Sequence, residues 1–321
     1  MKACIDIGGT KVAVSLAGGT NQGAGSKPIG RRAEPTATAG DPGALARQVL
    51  RLVRQVCAEQ GVAEDRVTQA GVSSCGPFVH AVHEGRARIE LANPNICGGL
   101  AGPARGLPND WTSVPLEAPL AQRFAQLRVE NDAVAALEAE RLWGALQGVP
   151  HCAYVTWSTG IGAGLCVDGR ILRGKNGNAG HAGHTFATDD PMGLLCGCGN
   201  LGDVEALVAG NALQRRFAER GWADAAALMQ AASGGDAAAL AVVHELCRVL
   251  GRMLYNLVAL LDLQRISLGG AVFLHHRDLL LPRLQAEVSR HLPALTEGVQ
   301  LVPAGLGLAV GDYAAMALVQ G

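Results

Sequence analysis

The sequence carries little charge, and the charge it has is balanced. Charged residues make up 17% of the 321 residues, the net charge is −1, and no strongly basic run occurs. Such a chain lacks the electrostatic means to hold a phosphate backbone without sequence preference. We therefore expect no nucleic-acid partner. The hydrophobic share of 49% excludes a disordered chain, and the length suits two domains.

Long apolar runs are also missing. No stretch of about 18 apolar residues occurs. The longest apolar candidate, residues 241–262, is interrupted by His244, Glu245, Arg248 and Arg252. No apolar signal region with a small-residue cleavage site is found near the N-terminus. We therefore expect no membrane partner and a cytoplasmic protein, whose nine cysteines are buried, metal-bound or incidental thiols.

A missing helix decides how the first glycine motif is interpreted. Residues 2–7 alternate as a strand, Gly8 and Gly9 permit a tight turn, and residues 12–17 resume a strand. A dinucleotide-binding or Walker loop needs a helix after its glycines, so both are excluded. A glycine turn between strands can still bind phosphate through successive N–H groups. An ordinary hairpin is an equal alternative.

Related glycine patterns occur twice more. Residues 151–170 read as a strand, a Ser-Thr-Gly-Ile-Gly turn and another strand. Residues 265–272 read as a strand ending in two glycines at a helix start, where a nucleoside could approach the backbone closely. The two hairpins predict duplicated α/β domains that face each other across a nucleotide. The pattern also predicts a strand over 68–74 and helices over 42–61 (with Gly61 as a C-cap), 133–147 and 237–262.

An acidic residue stands at a predicted helix start. A short strand ends in Asn131-Asp132, and an alanine- and glutamate-rich helix follows. Asn and Asp are preferred N-cap residues, so capping alone can explain the pair. The position between two phosphate hairpins suggests another role. The carboxylate of Asp132 could accept a proton from an attacking hydroxyl that Asn131 orients. Both interpretations are open at this point.

Together these motifs resemble the ROK family of sugar kinases (repressor, open reading frame, kinase), within the actin-like ATPase superfamily. The first phosphate motif is similar to "DIGGTK", the second to "STGIGAG", the adenosine motif to "LGGAV", the catalytic helix to "ENDAVAALEAE", and the sugar-and-zinc signature to "AGHAGH" with "CGCGNLGDVE". The resemblance spans essentially the whole chain. It implies an α/β, two-domain actin-like ATPase (ribonuclease H-like) fold with an interdomain cleft, and a homodimer or homotetramer. The implied domains are 1–115 with 305–321, and 116–304.

The resemblance also implies a reaction. The γ-phosphate of ATP would pass to the C6 hydroxyl of a hexose, with Asp132 as the general base and Mg²⁺ near Asp6. Implied nucleotide contacts are Asp6, Gly8, Gly9, Thr10, Lys11, Ser158, Thr159, Gly160, Gly269 and Gly270. Implied sugar contacts are Asn95, Asn131, Asp132, His181, His184 and Glu205.

Two other classes of protein remain as alternatives. Family repressors carry a DNA-binding extension before the first phosphate motif, which here begins at Asp6. We therefore expect an enzyme rather than a non-catalytic, sugar-sensing regulator. The sugar signature, His184 and Glu205, argues against a phosphotransferase with a non-sugar acceptor.

The chain departs from the family pattern at position 181. The family usually has Glu-x-Gly-His, whereas this chain has His181-Ala182-Gly183-His184. A neutral imidazole offers one donor and one acceptor, unlike a carboxylate. The histidine and the loop 93–100 resemble bacterial N-acetylmannosamine kinases. The alternative is a neutral variant in a general hexokinase, so a glucose- or mannose-type hexose and an N-acylhexosamine both remain open.

A second departure concerns the metal site. The family holds zinc with one histidine and three cysteines, and Asp203 stands here at the place of the third cysteine. The resemblance implies a structural zinc site formed by His184, Cys196, Cys198 and Asp203. Zinc accepts carboxylate oxygen as well as sulfur and nitrogen. The alternative is a pair of buried thiols without a metal.

Overall fold

The computed structural model describes residues 1–18, 27–101, 106–189 and 193–320. The chain divides into two compact units. Unit 1 comprises Met1–Trp143, Arg173–Ala179 and Ala309–Gly321, and unit 2 comprises Gly144–Leu172 and Gly180–Leu308.

Unit 1 contains one five-stranded and one three-stranded sheet. Its strands are β1 (Lys2–Ile7), β2 (Lys11–Ala17), β3 (Ile29–Pro35), β4 (Gln69–Ser74), β5 (Phe78–His83), β6 (Arg86–Leu91), β7 (Val114–Pro115) and β8 (Gln126–Asn131). Its first helices are α1 (Ala44–Glu59), α2 (Gly98–Ala101), α3 (Glu117–Ala121) and α4 (Asp132–Trp143). The larger sheet has the order β3-β2-β1-β4-β8, and the smaller has the order β5-β6-β7.

Unit 2 contains one five-stranded sheet and most of the helices. Its strands are β9 (Cys152–Trp157), β10 (Ile161–Val167), β11 (Arg170–Ile171), β12 (Arg265–Gly269) and β13 (Gln300–Pro303). Its helices are α5 (Val204–Val208), α6 (Gly210–Phe217), α7 (Ala225–Ser233), α8 (Ala237–Leu261), α9 (Ala271–His275), α10 (Arg277–Ser289) and α11 (Pro293–Thr296). The last helix, α12 (Val310–Ala317), belongs to unit 1, where it packs against α4 and β1.

The two larger sheets have the same topology. In unit 1, β1 pairs antiparallel with β2 and parallel with β4, which pairs parallel with β8. In unit 2, β9 pairs antiparallel with β10 and parallel with β12, which pairs parallel with β13. Each glycine turn therefore joins the first two strands of its sheet. The prediction of a duplicated α/β arrangement is confirmed at the level of the sheets.

Helix α1 shows how the sequence pattern produces the packing. The predicted apolar stripe is at most 1% exposed and lies in the core of unit 1: Leu45, Val49, Leu52, Val53 and Val56. Burying each such side chain stabilises the fold by roughly 1.5–3 kcal/mol relative to leaving it exposed. The helix ends at Glu59 with Gln60 as its C-cap, and Gly61, predicted as the cap, stands one position later, where its φ of +64° turns the chain away from the helix.

The units differ from the predicted domains at residues 116–143, 173–179 and 305–308, of which 116–143 is the longest stretch. The sequence assigned residues 116–143 to the second domain, whereas β8 and α4 belong to unit 1. The physical reason is long-range pairing: β8 completes the sheet beside β4, and α4 packs against α12. The predicted helix and strand positions match α1, α4, α8, β4 and β12 to within a few residues.

Among the described residues, no single helix is long and apolar enough to cross a membrane. The pair α7 and α8, bent by 116° at a short break, meets the length and composition requirement only jointly. Much of α8 packs in the core of unit 2 through residues such as Leu246, Leu250 and Leu254.

Candidate active site

Three parallel strands bring two acidic residues of unit 1, Asp6 and Asp132, to the same edge of the sheet. In the register of β1, β4 and β8, Asp6 lies opposite Ser73, and Ser74 lies opposite Asn131. The carboxyl ends of parallel strands meet at the same edge, and Asp132 follows directly as the first residue of α4. Asp6 and Asp132 are therefore gathered at one end of unit 1.

The two carboxyl groups influence each other. Burial raises the pKa of Asp6 to about 7, and the charge of Asp132 acts in the same direction. Arg31 and Lys11 oppose the shift. A raised carboxyl pKa means that ionising Asp6 is costly in this surrounding. A cation at this edge would offset both the burial and the repulsion between the carboxylates.

At the start of α4, Asn131 and Asp132 differ in their exposure to solvent and in their position relative to the helix. The backbone N–H of Ala133 donates to Oδ1 of Asn131 at 3.0 Å and to Oδ1 of Asp132 at 2.8 Å. Asn131 is buried and precedes the helix, so it occupies the N-cap position, whereas the side chain of Asp132 is exposed. Helix capping therefore does not require an acid at position 132.

The first glycine turn is held mainly by backbone groups and Thr36. The N–H of Gly8 donates to the carbonyl of Lys11 at 2.8 Å, and the N–H of Thr36 donates to the carbonyl of Thr10 at 3.1 Å. The hydroxyl of Thr36 donates to the carbonyl of Gly8 at 2.8 Å. The sequence carried no signal for Thr36, because it lies outside the motif.

Gly9 marks a close approach in the same turn. A Cβ atom at this position would lie 2.9 Å from Cβ of Asn95, so only glycine fits without a shift. Asn95 is exposed and belongs to the loop that follows β6, where its N–H donates to Oδ1 of Asn93 at 2.8 Å. The predicted sugar residue Asn95 thus lies against the first glycine turn.

The second glycine turn is held by a carboxylate. It comprises Ser158, Thr159 and Gly160, and the N–H of Ser158 donates to the carbonyl of Gly160 at 3.0 Å. Oε2 of Glu205 accepts the N–H of Ile161 at 2.8 Å. A Cβ atom at Gly160 would lie 2.7 Å from that same oxygen. Glu205 therefore closes the base of this turn.

The glycines after β12 are required by packing. A Cβ atom at Gly269 would lie 2.3 Å from the hydroxyl oxygen of Tyr154, and one at Gly270 would lie 2.3 Å from the carbonyl oxygen of Trp157. Gly270 also has a φ of +86°. Both glycines lie beside β9, the strand that leads to the second turn.

Four potential metal ligands converge in unit 2. The ligand atoms of His184, Cys196, Cys198 and Asp203 all lie within 4.8 Å of one another. Nδ1 of His184 is 3.3 Å from Oδ2 of Asp203 and 3.6 Å from Sγ of Cys196, and Sγ of Cys198 is 3.3 Å from the same Oδ2. Tetrahedral ligands at roughly 2.0–2.3 Å from zinc lie about 3.3–3.8 Å apart. The three short separations therefore match those between ligands of a tetrahedral zinc ion.

Within the cluster, His184 and Asp203 shift each other's pKa. Hydrogen bonding to Asp203 raises the pKa of His184. Burial alone would raise the pKa of Asp203, but hydrogen bonds from His184, from the N–H of Ala206 and from the two thiols lower it overall. Asp203 is fully buried, so its carboxylate depends on these partners.

The histidine that departs from the family pattern lies next to the metal cluster. The rings of His181 and His184 are stacked, with centroids 6.0 Å apart. Because Nδ1 of His184 faces Asp203 and Cys196, its other ring nitrogen points away from the ligand atoms. His181 is partly buried just before the 3₁₀ turn Ala182–His184.

A charged network beside Asn131 was missed by the sequence analysis. Glu130 accepts a hydrogen bond from Nε of Arg173 at 2.7 Å and pairs with Arg128 at 3.2 Å. Arg128 also pairs with Glu138 on α4. Arg173 lies six residues before Ala179, the first residue of the sugar signature, yet it belongs to unit 1. Charge pairing across 43 residues leaves no local sequence signal.

The predicted site residues thus form two sets. The set in unit 1 is Asp6, Gly8, Gly9, Thr10, Lys11, Asn95, Asn131 and Asp132. The set in unit 2 is Ser158, Thr159, Gly160, His181, His184, Cys196, Cys198, Asp203, Glu205, Gly269 and Gly270.

Comparison with known proteins places the chain. The profile of the ROK family matches residues 2–321. The chain is 34% identical over 275 residues to the N-acetylmannosamine kinase of Escherichia fergusonii, which covers 84% of this chain and 82% of that protein. It is 30% identical over 278 residues to the glucokinase of Aeropyrum pernix, which covers 80% of this chain and 81% of that protein.

A solved structure gives the same result. The ROK family glucokinase from Streptomyces griseus, crystallised with glucose and AMPPNP, matches with a TM-score of 0.70 and 27% identity over 100% of this chain and 99% of that one. This chain belongs to the ROK family. It has the two-domain actin-like ATPase fold of the family's sugar kinases, and the predicted fold class is confirmed.

Proposed function

We propose that this protein is an ATP-dependent sugar kinase that transfers the γ-phosphate to the C6 hydroxyl of a hexose or an N-acylhexosamine. The observation that carries the proposal is the exposed carboxylate of Asp132, beside Asp6 at the sheet edge and not needed as the helix cap. Kinship with proteins named N-acetylmannosamine kinase and glucokinase supports it.

Asp132 is the proposed general base. Its carboxylate accepts the proton of the sugar hydroxyl as that oxygen attacks the γ-phosphorus, while the bond to the β-phosphate oxygen breaks. Asn131 orients the sugar from the neighbouring position, and the Arg128–Glu130–Arg173 network holds the end of β8 in place. Mg²⁺ near Asp6, when bound, would neutralise charge on the transferred phosphate.

The two glycine turns are the proposed phosphate contacts. Turns of this kind bind anions through backbone N–H groups, and Thr10, Lys11, Ser158 and Thr159 add hydroxyls and a positive charge. The glycine pair after β12 is the proposed adenosine contact. Packing already explains those glycines, so this part of the proposal depends on the resemblance rather than on their geometry.

Zinc is the proposed occupant of the cluster in unit 2. The donor set of one imidazole nitrogen, two sulfurs and one carboxylate oxygen suits zinc, and the spacing fits. The metal would be structural when bound, holding the segment that carries His184 and Glu205. The ligands Cys196 and Asp203 are buried, which fits a structural role.

His181 is the proposed specificity residue, together with His184, Glu205 and Asn95 as sugar ligands. An imidazole offers different hydrogen bonds from a carboxylate at the C1–C2 side of the sugar, and the kinship with N-acetylmannosamine kinases makes that sugar type the proposed preference. His181→Glu should therefore shift the ratio of kcat/KM for glucose over N-acetylmannosamine towards glucose. An unchanged ratio would show that position 181 does not select the sugar.

The experiment that tests the proposed function is a coupled ADP-release assay with glucose, mannose, fructose, N-acetylglucosamine and N-acetylmannosamine. Sugar-dependent ADP release by the wild type, with a large loss in Asp132→Asn, supports a kinase. If no sugar causes ADP release, the alternative function, a sugar-sensing regulator without catalysis, would be favoured.

A further inference from the structure

One residue pair connects the metal cluster to a nearby helix. Oδ2 of Asp203 faces His184 and Cys198, whereas Oδ1 accepts the N–H of Ala206 at 2.7 Å. Asp203 is the N-cap of α5. A single buried carboxylate thus belongs both to the proposed metal site and to the start of the helix.

The first turn of α5 carries Glu205 to the second glycine turn. Its Oε2 accepts the N–H of Ile161 at 2.8 Å, and its Oε1 lies 3.8 Å from Sγ of Cys196. Gly160 leaves no room for a Cβ atom beside Oε2. One carboxylate therefore touches the glycine turn on one side and a proposed metal ligand on the other.

The chain after Glu205 continues along the same turn. The indole N–H of Trp157 donates to the carbonyl of Val208 at 2.7 Å. The N–H of Gly210 donates to the carbonyl of Ser158 at 2.8 Å, and the next N–H donates to the carbonyl of Thr159 at 3.3 Å. These bonds link the turn to the segment that begins at the metal cluster.

We infer that Glu205 is a positioning residue for the second glycine turn, and that the metal cluster controls nucleotide binding through Asp203, α5 and Glu205. This inference rests on the proposed function, because it takes the turn as a phosphate contact. It goes further by giving Glu205 and the metal a role towards the nucleotide in addition to the sugar. Since the N–H of Ile161 donates to Glu205, a phosphate would contact other N–H groups of the turn.

The first test uses Glu205→Ala with Glu205→Gln as its matched control. The amide oxygen of glutamine can still accept the N–H of Ile161, whereas alanine leaves that donor without this partner. Calorimetric titration with ADP in the absence of sugar should show roughly tenfold weaker binding for Glu205→Ala, as expected for losing a hydrogen bond to a charged acceptor. Glu205→Gln should stay within about threefold. Equal ADP affinity in wild type and Glu205→Ala would overturn the inference.

The second test follows the turn without any ligand. Hydrogen exchange of the peptide covering residues 156–163 is compared between zinc-loaded and chelated wild type. Chelation should speed exchange at Ile161 at least severalfold, and exchange in the first glycine turn should not change. In Glu205→Ala, chelation should add less than in wild type, because the carboxylate part of the connection is already broken and only the bonds at Val208 and in the segment from Gly210 remain. The inference would be overturned if the exchange rate at Ile161 changed neither on chelation nor in Glu205→Ala.

Asp203→Asn isolates the metal from the helix cap. Asparagine caps helices as well as aspartate but provides a neutral oxygen in place of the carboxylate ligand. The variant should behave like chelated wild type in both measurements. Behaviour like zinc-loaded wild type would overturn the metal part. Neither measurement depends on sugar turnover. The ADP-release assay tests the proposed kinase activity separately, so a failure of that activity can be distinguished from a failure of this inference.

Discussion

The two glycine turns occupy the same place in two sheets of the same topology, but different groups hold them. The turn in unit 1 closes on itself through Gly8 and Lys11, and Thr36 braces it from β3's end with neutral hydrogen bonds. The turn in unit 2 also closes on itself, through the N–H of Ser158 and the carbonyl of Gly160, but its outside support includes the carboxylate of Glu205, which is carried by a helix that starts at the metal cluster. Duplicated topology therefore does not require duplicated support.

The surroundings of the turns differ in charge as well. Near the first turn, Asp6 and Asp132 repel each other and the pKa of Asp6 is raised. Near the second, the carboxylate of Asp203 has its pKa lowered by its hydrogen-bond donors. The carboxylates of Asp6 and Asp132 in unit 1 are thus suited to binding a proton or a cation. The carboxylate of Asp203 in unit 2 instead accepts hydrogen bonds that stabilise the local structure.

The largest effect is expected at Asp132, the proposed general base in unit 1. Asp132→Asn should lower kcat by about 10²–10⁴-fold, because it removes the general base. The fold should persist, since Asn131 supplies the N-cap. Steady-state kinetics and thermal melting measure the two effects. A kcat within a few-fold of wild type would mean that Asp132 is structural.

The next effect concerns pH and the first turn. The pKa of Asp6 is raised to about 7 by burial and by Asp132, against about 3.9 when unfolded. The stability of its protonated form is fully present below about pH 4 and is lost as pH rises through about 7. Asp6→Asn cannot ionise and avoids this loss. Relative to the variant, wild type should lose about 2–3 kcal/mol of unfolding free energy between pH 5 and pH 8.

Denaturant unfolding in EDTA at both pH values checks this prediction. The matched control is Asp132→Asn, which removes one cause of the shift and should reduce the pH dependence without abolishing it. Parallel stability curves for wild type and Asp6→Asn would contradict a raised pKa.

A smaller effect is expected at the metal cluster. Asp203→Ala should remove both a ligand and the cap of α5, so zinc content should fall from near one per chain towards zero after mild chelation. The lost cap costs about 1 kcal/mol, and KM for both sugar and ATP should rise by roughly tenfold, about the worth of one charged hydrogen bond. Metal analysis and kinetics measure these changes. Metal-free wild type with full activity would leave the cluster as packed side chains only.

The smallest effect sharpens the contrast between the turns. Thr36→Val removes the donor to the carbonyl of Gly8 and should lower stability by about 1 kcal/mol, with at most a few-fold rise in KM for ATP. Thr36→Ser keeps the hydroxyl and serves as the control. Chelation should not alter the difference between these variants. A metal-dependent difference would show that the first turn also depends on the cluster.

Patterns along the chain were sufficient to predict the elements whose cause is local. Four features could be predicted because each depends on neighbours along the chain. They are the apolar spacing of α1, the glycine turns between strands, the Asn-Asp pair at a helix start, and the ligand-like spacing of Cys196, Cys198 and Asp203. The resemblance of the motifs then led to the family that the comparisons show.

The contacts between those elements could be known only from the folded chain. β8 joins the sheet of unit 1, Glu205 reaches Ile161 across 44 residues, and Arg173 pairs with Glu130 across 43. Asn131 and Asp132 both accept the N–H of Ala133, but Asn131 is buried and Asp132 is exposed, a difference that the sequence of the pair could not settle. Local patterns report propensity and periodicity along the chain. Hydrogen bonds and ion pairs between distant segments depend on the register and packing that bring those segments together.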